Sequence, residues 1–564
     1  MNRKPRKLGL GILLVLLTSF LLNTWGLNWG LPSAERNRLY FDNREDIFRS
    51  LAETENTDVT KSMTEERELL SGSRFNPIRS YHPDESNFIK AVSNMDPKTF
   101  NLNPRYLYYG TLYIYLFALG LAVAFLFGFI TLSTDITFYF LHPEEIARFY
   151  LVGRFTSAFF AVLSVYLTYL IGKKLYGPKV GLAAGLLMAI CPMLVINAHY
   201  VSVDATMLFF VCLTFLFSIS IMESGNLKWY LLAGASAGLA ADTKYSAVLV
   251  LFVILLAHLL VAATKTGQFH RGFLRALFRR NILLAYLCAA ATFLILCPYA
   301  IKNYPEFRSC QYGINAVLGQ GITLPGLLKN IGYHLKALNY GIGLPFLLLS
   351  LTGMVIALKK KEPGGILITF WVIFCSGFFL WKNFFYDRYL MPILPFLAIS
   401  AATVVFRPTR KKVVWKTAMA LLLLPTLLYT LGYLRLFATE NIRTTAGKWI
   451  AQNIKSGSVI GLKRDTFQFE LPPINQQKYS VVITGQDLQT LKNKKPEYFL
   501  INEIEYRRNP SLWSEIFAKA GYQLEKEFFN PPKIFGIAFN ENSPNEDYLY
   551  LYPRIFIYRH TDEY

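Results

Sequence analysis

Two adjacent carboxylates, Asp84 and Glu85, stand in the segment SYHPDESNFIKAV, residues 80–92, just before a helical apolar pattern. A carboxylate can act as a general base that takes the proton of a hydroxyl group. The same residues also suit the first turn of a helix, because Pro fits there and acids complement the helix dipole. Long hydrophobic runs flank this polar region, so the choice depends on which side of a membrane the pair faces.

Further charged residues stand where polar turns meet apolar runs. Asp204 opens the run in AHYVSVDATMLFF, and Asp242 and Lys244 lie in the turn of GLAADTKYSAVLV. An acid at a helix start is commonly a cap, whereas an acid at the edge of a membrane span is a functional candidate. Asp242 and Lys244 could equally be a neutralised pair at a helix hairpin. The sequence alone leaves these alternatives open.

A cation stands in a similar position later in the chain. Arg388 and Tyr389 lie in WKNFFYDRYLMPILPF, among aromatic residues at the head of an apolar run. Arginine in such a setting often binds a phosphate, because its planar, fork-shaped guanidinium group donates paired hydrogen bonds. These residues therefore combine groups that can take a proton with groups that can bind a phosphate.

The composition indicates that membrane helices position these residues. The chain has 564 residues, of which 53% are hydrophobic and 15% aromatic, with repeated apolar runs long enough to cross a bilayer. The net charge of +21 is better explained by cytoplasmic loops than by nucleic acid. Five of the six cysteines lie in apolar runs, which excludes a disulfide framework and a CxxC metal site. The predicted fold class is an α-helical polytopic membrane protein.

The basic clusters orient the chain, because cytoplasmic loops are rich in Lys and Arg. Eleven spans place every basic cluster and the N-terminus in the cytoplasm. The segment 106–131 is apolar enough to cross but would reverse this arrangement, so we predict a re-entrant or surface-lying segment on the outer side. The predicted spans are 8–30, 149–171, 180–198, 203–222, 228–242, 245–263, 281–301, 342–358, 365–381, 390–406 and 413–436.

This topology predicts a transmembrane domain over residues 1–436 and an extracytoplasmic domain over residues 437–564. Within the first domain, residues 31–131 form a first outer loop that holds the acid pair, and residues 302–341 form a second. The C-terminal domain contains helix-like stretches (TTAGKWIAQNI, PSLWSEIFAKAGYQL) and strand-like stretches (YSVVIT, EYFLI, RIFIYR), which indicate a small α/β fold.

All the candidate residues then lie at the outer boundary of the cytoplasmic membrane. Nucleotide sugars and ATP are not available there, so an activated group must arrive attached to the membrane. A sugar on a polyprenyl phosphate meets this requirement, and Arg and Lys can stabilise its phosphate leaving group. Membrane lipid and such a donor are the predicted partners, and nucleic acid is not.

The order of the motifs resembles the lipid-carrier-dependent glycosyltransferases of the GT-C fold, which include the protein O-mannosyltransferases and the aminoarabinose transferases. The resemblance covers most of residues 8–436 and rests on HPDESNF, NPRYLYYGTLYIYL, GRFTSAFFAVLSVYLTYLIGKKLYG, AHYVSVDATMLFF, GLAADTKYSAVL and FYDRYLMPILPFL in this order. It implies transfer of a hexose or pentose to a hydroxyl of a lipid, glycan or protein acceptor. It also implies a single displacement with inversion at the anomeric carbon.

The resemblance implies roles for individual residues. Asp84 matches the base, Glu85 a supporting acid, and Asp204 the acid at the head of the fourth span. For the donor phosphate it implies Lys244 of the TK turn and Arg388 with Tyr389 of the RY element. Some relatives carry a Lys before the Pro of the first outer loop, where this chain has Asn103-Pro104-Arg105, so Arg105 is a candidate substitute. No cofactor is implied with certainty, and a divalent metal stays open.

Three alternative functions use the same features differently. One is a noncatalytic receptor that uses the outer α/β domain, and the order of the motifs argues against it. A transporter or flippase of a lipid-linked sugar would need charges buried in mid-span and inverted repeats, whereas here the charges cluster at one face. A polysaccharide ligase or polymerase shares the donor class but lacks the HPDE pattern. The segment HPEE, residues 142–145, resembles HPDE, but acids at the surface are ordinary.

Overall fold

The computed structural model describes residues 4–55, 77–266, 278–318, 323–382, 386–406, 412–463, 471–539 and 546–561. The chain divides into two compact units. The helical unit comprises Met1–Trp25, Ala91–Leu119 and Gly153–Leu434. The sheet-bearing unit comprises Gly26–Lys90, Gly120–Val152 and Arg435–Tyr564.

Helices dominate the first three quarters of the chain. In chain order they are α1 (Lys4–Thr24), α2 (Ala34–Asn37), α3 (Arg44–Glu55), α4 (Glu85–Ser93), α5 (Leu112–Leu126), α6 (Ile136–Leu141), α7 (Pro143–Tyr176), α8 (Pro178–Ala189), α9 (Pro192–Ala198), α10 (Asp204–Ser224), α11 (Leu227–Thr243), α12 (Leu251–Thr266), α13 (Arg280–Leu296), α14 (Tyr299–Lys302), α15 (Tyr304–Leu318), α16 (Leu324–Ile342), α17 (Leu344–Lys359), α18 (Pro363–Leu380), α19 (Leu394–Val405) and α20 (Lys412–Phe437).

Among the described residues, six helices are long and apolar enough to cross a membrane, or up to eight if each of two bent pairs counts as one span. The bent pairs are α8 with α9, at 54°, and α16 with α17, at 110°. Three shorter apolar helices lie at Gly9–Thr24, Leu112–Leu126 and Arg280–Leu296. The prediction of a polytopic helical membrane protein is confirmed, and the number of eleven spans stays a prediction.

The segment 106–131, which the charge pattern sets apart, contains α5. This helix has 15 residues, and at ~1.5 Å per residue it is about 22 Å long, shorter than a bilayer core of about 30 Å. Its length is compatible with the predicted re-entrant or surface-lying segment. Whether α5 crosses the membrane stays a prediction.

Two of the apolar helices begin with a tighter turn. Residues Tyr245–Val250 form a 3₁₀ segment that leads into α12, and residues Asp387–Ile393 form another that leads into α19. Such 3₁₀ turns are frequent at the starts of α-helices. Lys244 directly precedes the first segment, and Arg388 and Tyr389 lie in the second.

The C-terminal region contains α21 (Ile442–Asn453), β1 (Val459–Leu462), β2 (Ser480–Ile483), α22 (Leu488–Lys494), β3 (Tyr498–Asn502), α23 (Glu503–Arg508), α24 (Pro510–Lys519), β4 (Tyr522–Phe528), β5 (Lys533–Ile534), β6 (Ile537–Ala538), α25 (Glu546–Leu549) and β7 (Ile555–His560). The predicted helix-like stretch PSLWSEIFAKAGYQL ends earlier than its composition suggests, because α24 stops at Lys519 and Tyr522 starts β4. The other predicted elements of this region appear as helix or strand.

Five of these strands form one mixed sheet in the order β2-β1-β3-β7-β4. Strand β1 pairs in parallel with β2 and β3, whereas β7 pairs antiparallel with β3 and β4. Both faces of the sheet are covered by buried side chains, including Ile450 and Ile460 on one side and Trp513 and Phe517 on the other. The predicted small α/β fold at the C-terminal end is confirmed.

Candidate active site

Three of the predicted site residues lie at the heads of apolar helices in the helical unit. Asp204 is the first residue of α10 and Lys244 follows the last residue of α11. Arg388 lies in the 3₁₀ segment before α19. A carboxylate such as Asp204 suits the first turn of a helix, because the first N–H groups of a helix have no partner within it. We call Asp204, Lys244, Arg388 and Tyr389 the cation cluster.

A buried salt bridge forms the centre of the cation cluster. The Lys244 Nζ donates to Asp204 Oδ1 at 2.7 Å, and the side chains are 10% and 3% exposed. The Ser202 hydroxyl donates to Asp204 Oδ2 at 2.8 Å. Both carboxylate oxygens therefore have donors, and a charged pair in this position is held by geometry that a surface pair lacks.

Aromatic rings pack against both cations. The Lys244 ammonium lies 4.6 Å from the centroid of the Tyr389 ring, and the Arg388 guanidinium lies 4.4 Å from that of Tyr386. The ring of Phe379 stacks on Tyr389 at 5.1 Å between centroids. Attraction between a cation and the face of a ring strengthens when water is excluded. The rings thus fix where the two cationic groups lie.

The pairing of Lys244 resolves one alternative left open by the sequence. Lys244 pairs with Asp204, which is 40 residues away, and not with its neighbour Asp242. Asp242 instead accepts the backbone N–H groups of Thr111 at 3.2 Å and Leu112 at 3.0 Å, so it caps the start of α5. A side chain at Gly110 would clash here, since a Cβ would lie 1.7 Å from the Asp242 carbonyl oxygen.

The acid pair lies in the sheet-bearing unit. Glu85 is the first residue of α4 and is fully buried, whereas Asp84 is half-buried. The backbone N–H of Asp84 donates to the His82 Nδ1 at 3.3 Å. The two acids differ in access, and a base that must meet an acceptor hydroxyl needs the access that Asp84 has.

Buried arginines hold the segment that leads to the acid pair. Arg36 donates to the Pro77 carbonyl at 2.5 Å and also to the Arg79 carbonyl. Arg79 in turn donates to the Ser86 hydroxyl at 2.8 Å, and the Tyr150 hydroxyl donates to the Ile78 carbonyl at 3.1 Å. These bonds hold the backbone of residues 77–79, before the acid pair, and link it to the Ser86 side chain just after the pair.

The same segment contacts the C-terminal region. The ring of Tyr81 is fully buried, with the guanidinium groups of Arg36 at 4.8 Å and Arg443 at 5.4 Å from its centroid. Its hydroxyl is 3.1 Å from the Thr444 hydroxyl. Burial raises the pKa of Tyr81, and the nearby guanidinium groups lower it by less. The phenol therefore stays neutral near pH 7 and serves as a hydrogen-bonding anchor.

The residues that hold the segment around the acid pair were not predicted from the sequence. Arg36, Arg443 and Thr444 lie far from the acid pair along the chain, and no local pattern joins them to it. His82 also contacts the Tyr550 ring, with 5.7 Å between ring centroids.

Arg105 is exposed, and its backbone N–H donates to Asn103 Oδ1 at 3.0 Å. Its φ angle of 48° is unusual for a residue other than glycine. The structure gives no described contact that joins the Arg105 side chain to the cation cluster, so its role stays a prediction.

The segment HPEE has structural contacts. The Glu144 carboxylate accepts the Ala34 N–H at 2.7 Å, and Glu145 pairs with Arg148 at 2.8 Å. These contacts support the interpretation of HPEE as an ordinary surface segment.

Across the described residues, no group of three or more His, Cys, Asp or Glu side chains is placed to hold a metal ion. Some basic residues of the predicted cytoplasmic loops lie outside the described residues, namely Arg271, Arg275, Arg407, Arg410 and Lys411. Phe384 and Phe385, which belong to the aromatic residues around Arg388 in the sequence, also lie outside them.

Residues 147–301 match the family model described as dolichyl-phosphate-mannose-protein mannosyltransferase. Asp204 and Lys244 lie within this stretch, whereas Asp84 and Arg388 lie outside it. The match confirms the resemblance to lipid-carrier-dependent glycosyltransferases and favours a transferase over a flippase. No curated protein matches the chain.

Solved structures also align with most of the chain. ArnT from Cupriavidus metallidurans in the apo state is 12% identical, with 99% of this chain and 98% of that chain covered and a TM-score of 0.48. The same protein bound to undecaprenyl phosphate is 12% identical, with 98% of each chain covered and a TM-score of 0.45. The Archaeoglobus fulgidus oligosaccharyltransferase in the apo form is 12% identical, with 97% of this chain and 77% of that chain covered and a TM-score of 0.46.

Proposed function

We propose that this chain transfers a hexose or pentose from a polyprenyl-phosphate carrier to a hydroxyl of a lipid, glycan or protein acceptor. The observation that carries the proposal is the cation cluster. Lys244 is held by Asp204 at 2.7 Å inside an aromatic setting at the heads of apolar helices. A carrier whose tail lies in the bilayer would present its phosphate at this depth.

In this mechanism the cation cluster binds the donor phosphate. An ammonium group has three N–H donors, so Lys244 can bind Asp204 and a phosphate oxygen at once. Arg388 adds a planar fork that can bind two phosphate oxygens. Negative charge grows on the phosphate as the bond to the sugar breaks, and both cations stabilise that charge. Asp204 then acts by positioning Lys244.

Asp84 is the proposed general base. As the acceptor oxygen bonds to the anomeric carbon, its proton becomes acidic and a carboxylate can remove it. Glu85 is too buried to meet the acceptor and supports Asp84. The leaving phosphate needs no proton, so one base suffices and the single displacement inverts the anomeric carbon. Tyr389 holds Lys244, and Arg105 is a further candidate for the phosphate.

The proposed location is the outer side of the cytoplasmic membrane, with the C-terminal domain extracytoplasmic. Exposed positions such as Asp135 and Asn493 allow a test in which each is replaced by cysteine in a background without native cysteines. An impermeant thiol reagent should label both in intact spheroplasts, because both lie outside in this topology. Labelling at 493 with protection at 135 would show that α5 crosses the membrane.

The transfer itself can be tested with purified protein in proteoliposomes. A synthetic polyprenyl-phosphate sugar is supplied with acceptor fractions from a strain that lacks the gene, and the lipid products are followed by mass spectrometry. The proposal expects free polyprenyl phosphate and an acceptor heavier by one sugar. Donor that crosses the bilayer intact, with no polyprenyl phosphate released, would favour a flippase. Comparing surface glycans, lipids and glycoproteins of the deletion strain identifies the acceptor.

A further inference from the structure

A small hairpin in the sheet-bearing unit exposes large apolar side chains. Strands β5 and β6 pair Ile534 with Ile537 around the turn Phe535-Gly536. Phe535 is 91% exposed and Ile537 is 75% exposed. Isolated exposed apolar residues are common, but two such residues side by side on a protruding turn form a patch that water solvates poorly. We call Lys533–Ala538 the apolar hairpin.

The conformation of Phe535 gives the patch a second distinctive property. Its φ angle is 50° and that of Gly536 is 83°, so both central residues of the turn have positive φ. Two-residue turns of this kind favour Asn-Gly or Gly-Gly, because a bulky side chain is strained there. A phenylalanine at this position does not serve the turn. Its ring is presented outward at a conformational cost, which points to a contact outside the domain.

The base of the hairpin is tied to the end of the last apolar helix. Asn530 is bonded to Arg435 and to the Thr439 hydroxyl, each at 3.4 Å. Arg435 is in the last turn of α20. Two residues, Pro531 and Pro532, separate Asn530 from Lys533, so the hairpin starts at most about 11 Å of chain from this point.

The exposed side chains of α20 indicate that lipid surrounds this helix. Its sequence is apolar over the predicted span 413–436, and Leu421, Leu424 and Leu431 are exposed by 65%, 58% and 42%. Leucines exposed along a membrane helix face lipid, and an arginine at the helix end reaches the headgroups. The bilayer surface therefore lies near Arg435, where the hairpin is rooted.

We propose that the apolar hairpin is a membrane anchor that inserts Phe535 and Ile537 into the bilayer interface where α20 ends. Apolar side chains beside a basic residue suit this zone, since the rings enter the acyl boundary and Lys533 meets lipid phosphate. The anchor ties the sheet-bearing unit, which carries the acid pair, to the membrane surface. It does not depend on which sugar is transferred or on which side of the membrane the unit lies.

The environment of the hairpin can be measured on the full chain. In a variant with its six native cysteines replaced, Ile537→Cys is labelled with an environment-sensitive fluorophore and reconstituted in nanodiscs. Leu524→Cys, which is 49% exposed on β4, is the matched control. The proposal expects strong quenching at 537 by a lipid with a doxyl group near its headgroup and weak quenching by aqueous iodide, with the reverse at 524.

Iodide quenching at 537 as strong as at 524 would overturn the proposal, because the hairpin would then lie in water. Protection from both quenchers would also overturn it, because that result indicates a protein partner.

The variant Phe535→Asn separates insertion from folding. Asparagine accepts a positive φ angle, so the thermal unfolding temperature should stay equal or rise. Lipid quenching at 537 should fall about twofold or more, because the ring supplies much of the apolar area. Unchanged lipid quenching in a folded Phe535→Asn variant would overturn the role of the ring.

Discussion

The cation cluster and the acid pair are held by different kinds of structure. In the cation cluster, Lys244 binds Asp204 at 2.7 Å, and each residue sits where a short polar turn enters an apolar helix. The helices that carry these residues belong to one unit, and its buried core includes small side chains such as Ala205 on α10 and Ala240 on α11. Membrane helices therefore fix the cationic groups directly.

The acid pair depends on long-range anchors instead. Arg36 holds the backbone of residues 77–79, and the Tyr81 hydroxyl meets Thr444, which is 363 residues away. Most of the bonds described around the pair are to backbone carbonyls or hydroxyls. A segment held in this way is fixed by the folding of the sheet-bearing unit.

The difference separates two tasks of the proposed reaction. Binding a lipid-linked phosphate requires cations at a constant depth, which a helix bundle provides. Proton removal requires a carboxylate that can approach acceptors of different shapes, and the acid pair belongs to the second compact unit. Changes in the cation cluster should therefore act on donor binding, and changes around Tyr81 should act on the base.

The largest expected effect is on stability within the cation cluster. Lys244→Ala leaves Asp204 buried without its partner, so we expect the free energy of unfolding to fall by about 3–5 kcal/mol. Thermal unfolding of the purified variant in detergent measures this. Lys360→Ala is the matched control, because it removes an exposed pair with Glu362 at 4.0 Å and should cost under about 1 kcal/mol. Equal losses in the free energy of unfolding would contradict the claim that the buried Lys244–Asp204 salt bridge contributes more to stability than an exposed pair.

The next effect is on turnover at the acid pair. Asp84→Asn keeps the size of the side chain but removes its basicity, so sugar transfer should fall at least ~10²-fold while the unfolding temperature stays the same. Glu144→Gln in HPEE is the control and should transfer at the wild-type rate. Wild-type turnover in purified Asp84→Asn protein would remove Asp84 as the base.

A smaller effect is expected at the anchor of the acid pair. Tyr81→Phe removes the hydroxyl that meets Thr444 but keeps the ring between Arg36 and Arg443. We expect a loss of about 1 kcal/mol in the free energy of unfolding. Thr444→Val should have a similar effect, and the double variant should lose little more, because the two single variants remove the same bond. Fully additive losses would show that the hydroxyls act independently.

The sequence predicted the features that depend on local patterns. Apolar runs located the long helices, and short strand-like stretches located β2, β3 and β7. The candidate residues at helix heads could be found because a charge beside an apolar run is rare. The helices within residues 302–341 were not predicted, because α15 and α16 mix polar and apolar residues and the topology predicts an outer loop there.

Partners that are distant in the sequence could not be predicted. Asp242 stands two residues before Lys244, yet it caps α5. The salt bridge of Lys244 is formed with Asp204 instead. The contacts of Arg36 and Arg443 with Tyr81 join three separate parts of the chain. Such pairs follow from tertiary packing, and a single sequence carries no periodic signal for them.

Binding of the product polyprenyl phosphate tests the central claim most directly. Its dissociation constant can be measured by native mass spectrometry for the wild-type protein and for Arg388→Ala, Arg388→Lys and Asp84→Asn. We expect about 10–100-fold weaker binding in Arg388→Ala, because a charge-assisted hydrogen bond to phosphate is lost. The dissociation constant of Arg388→Lys should lie between those of the wild type and Arg388→Ala, because lysine keeps the charge but lacks the planar fork of the guanidinium. Asp84→Asn should bind polyprenyl phosphate like the wild type. Unchanged binding in folded Arg388→Ala protein would contradict the assignment of the cation cluster to the donor phosphate.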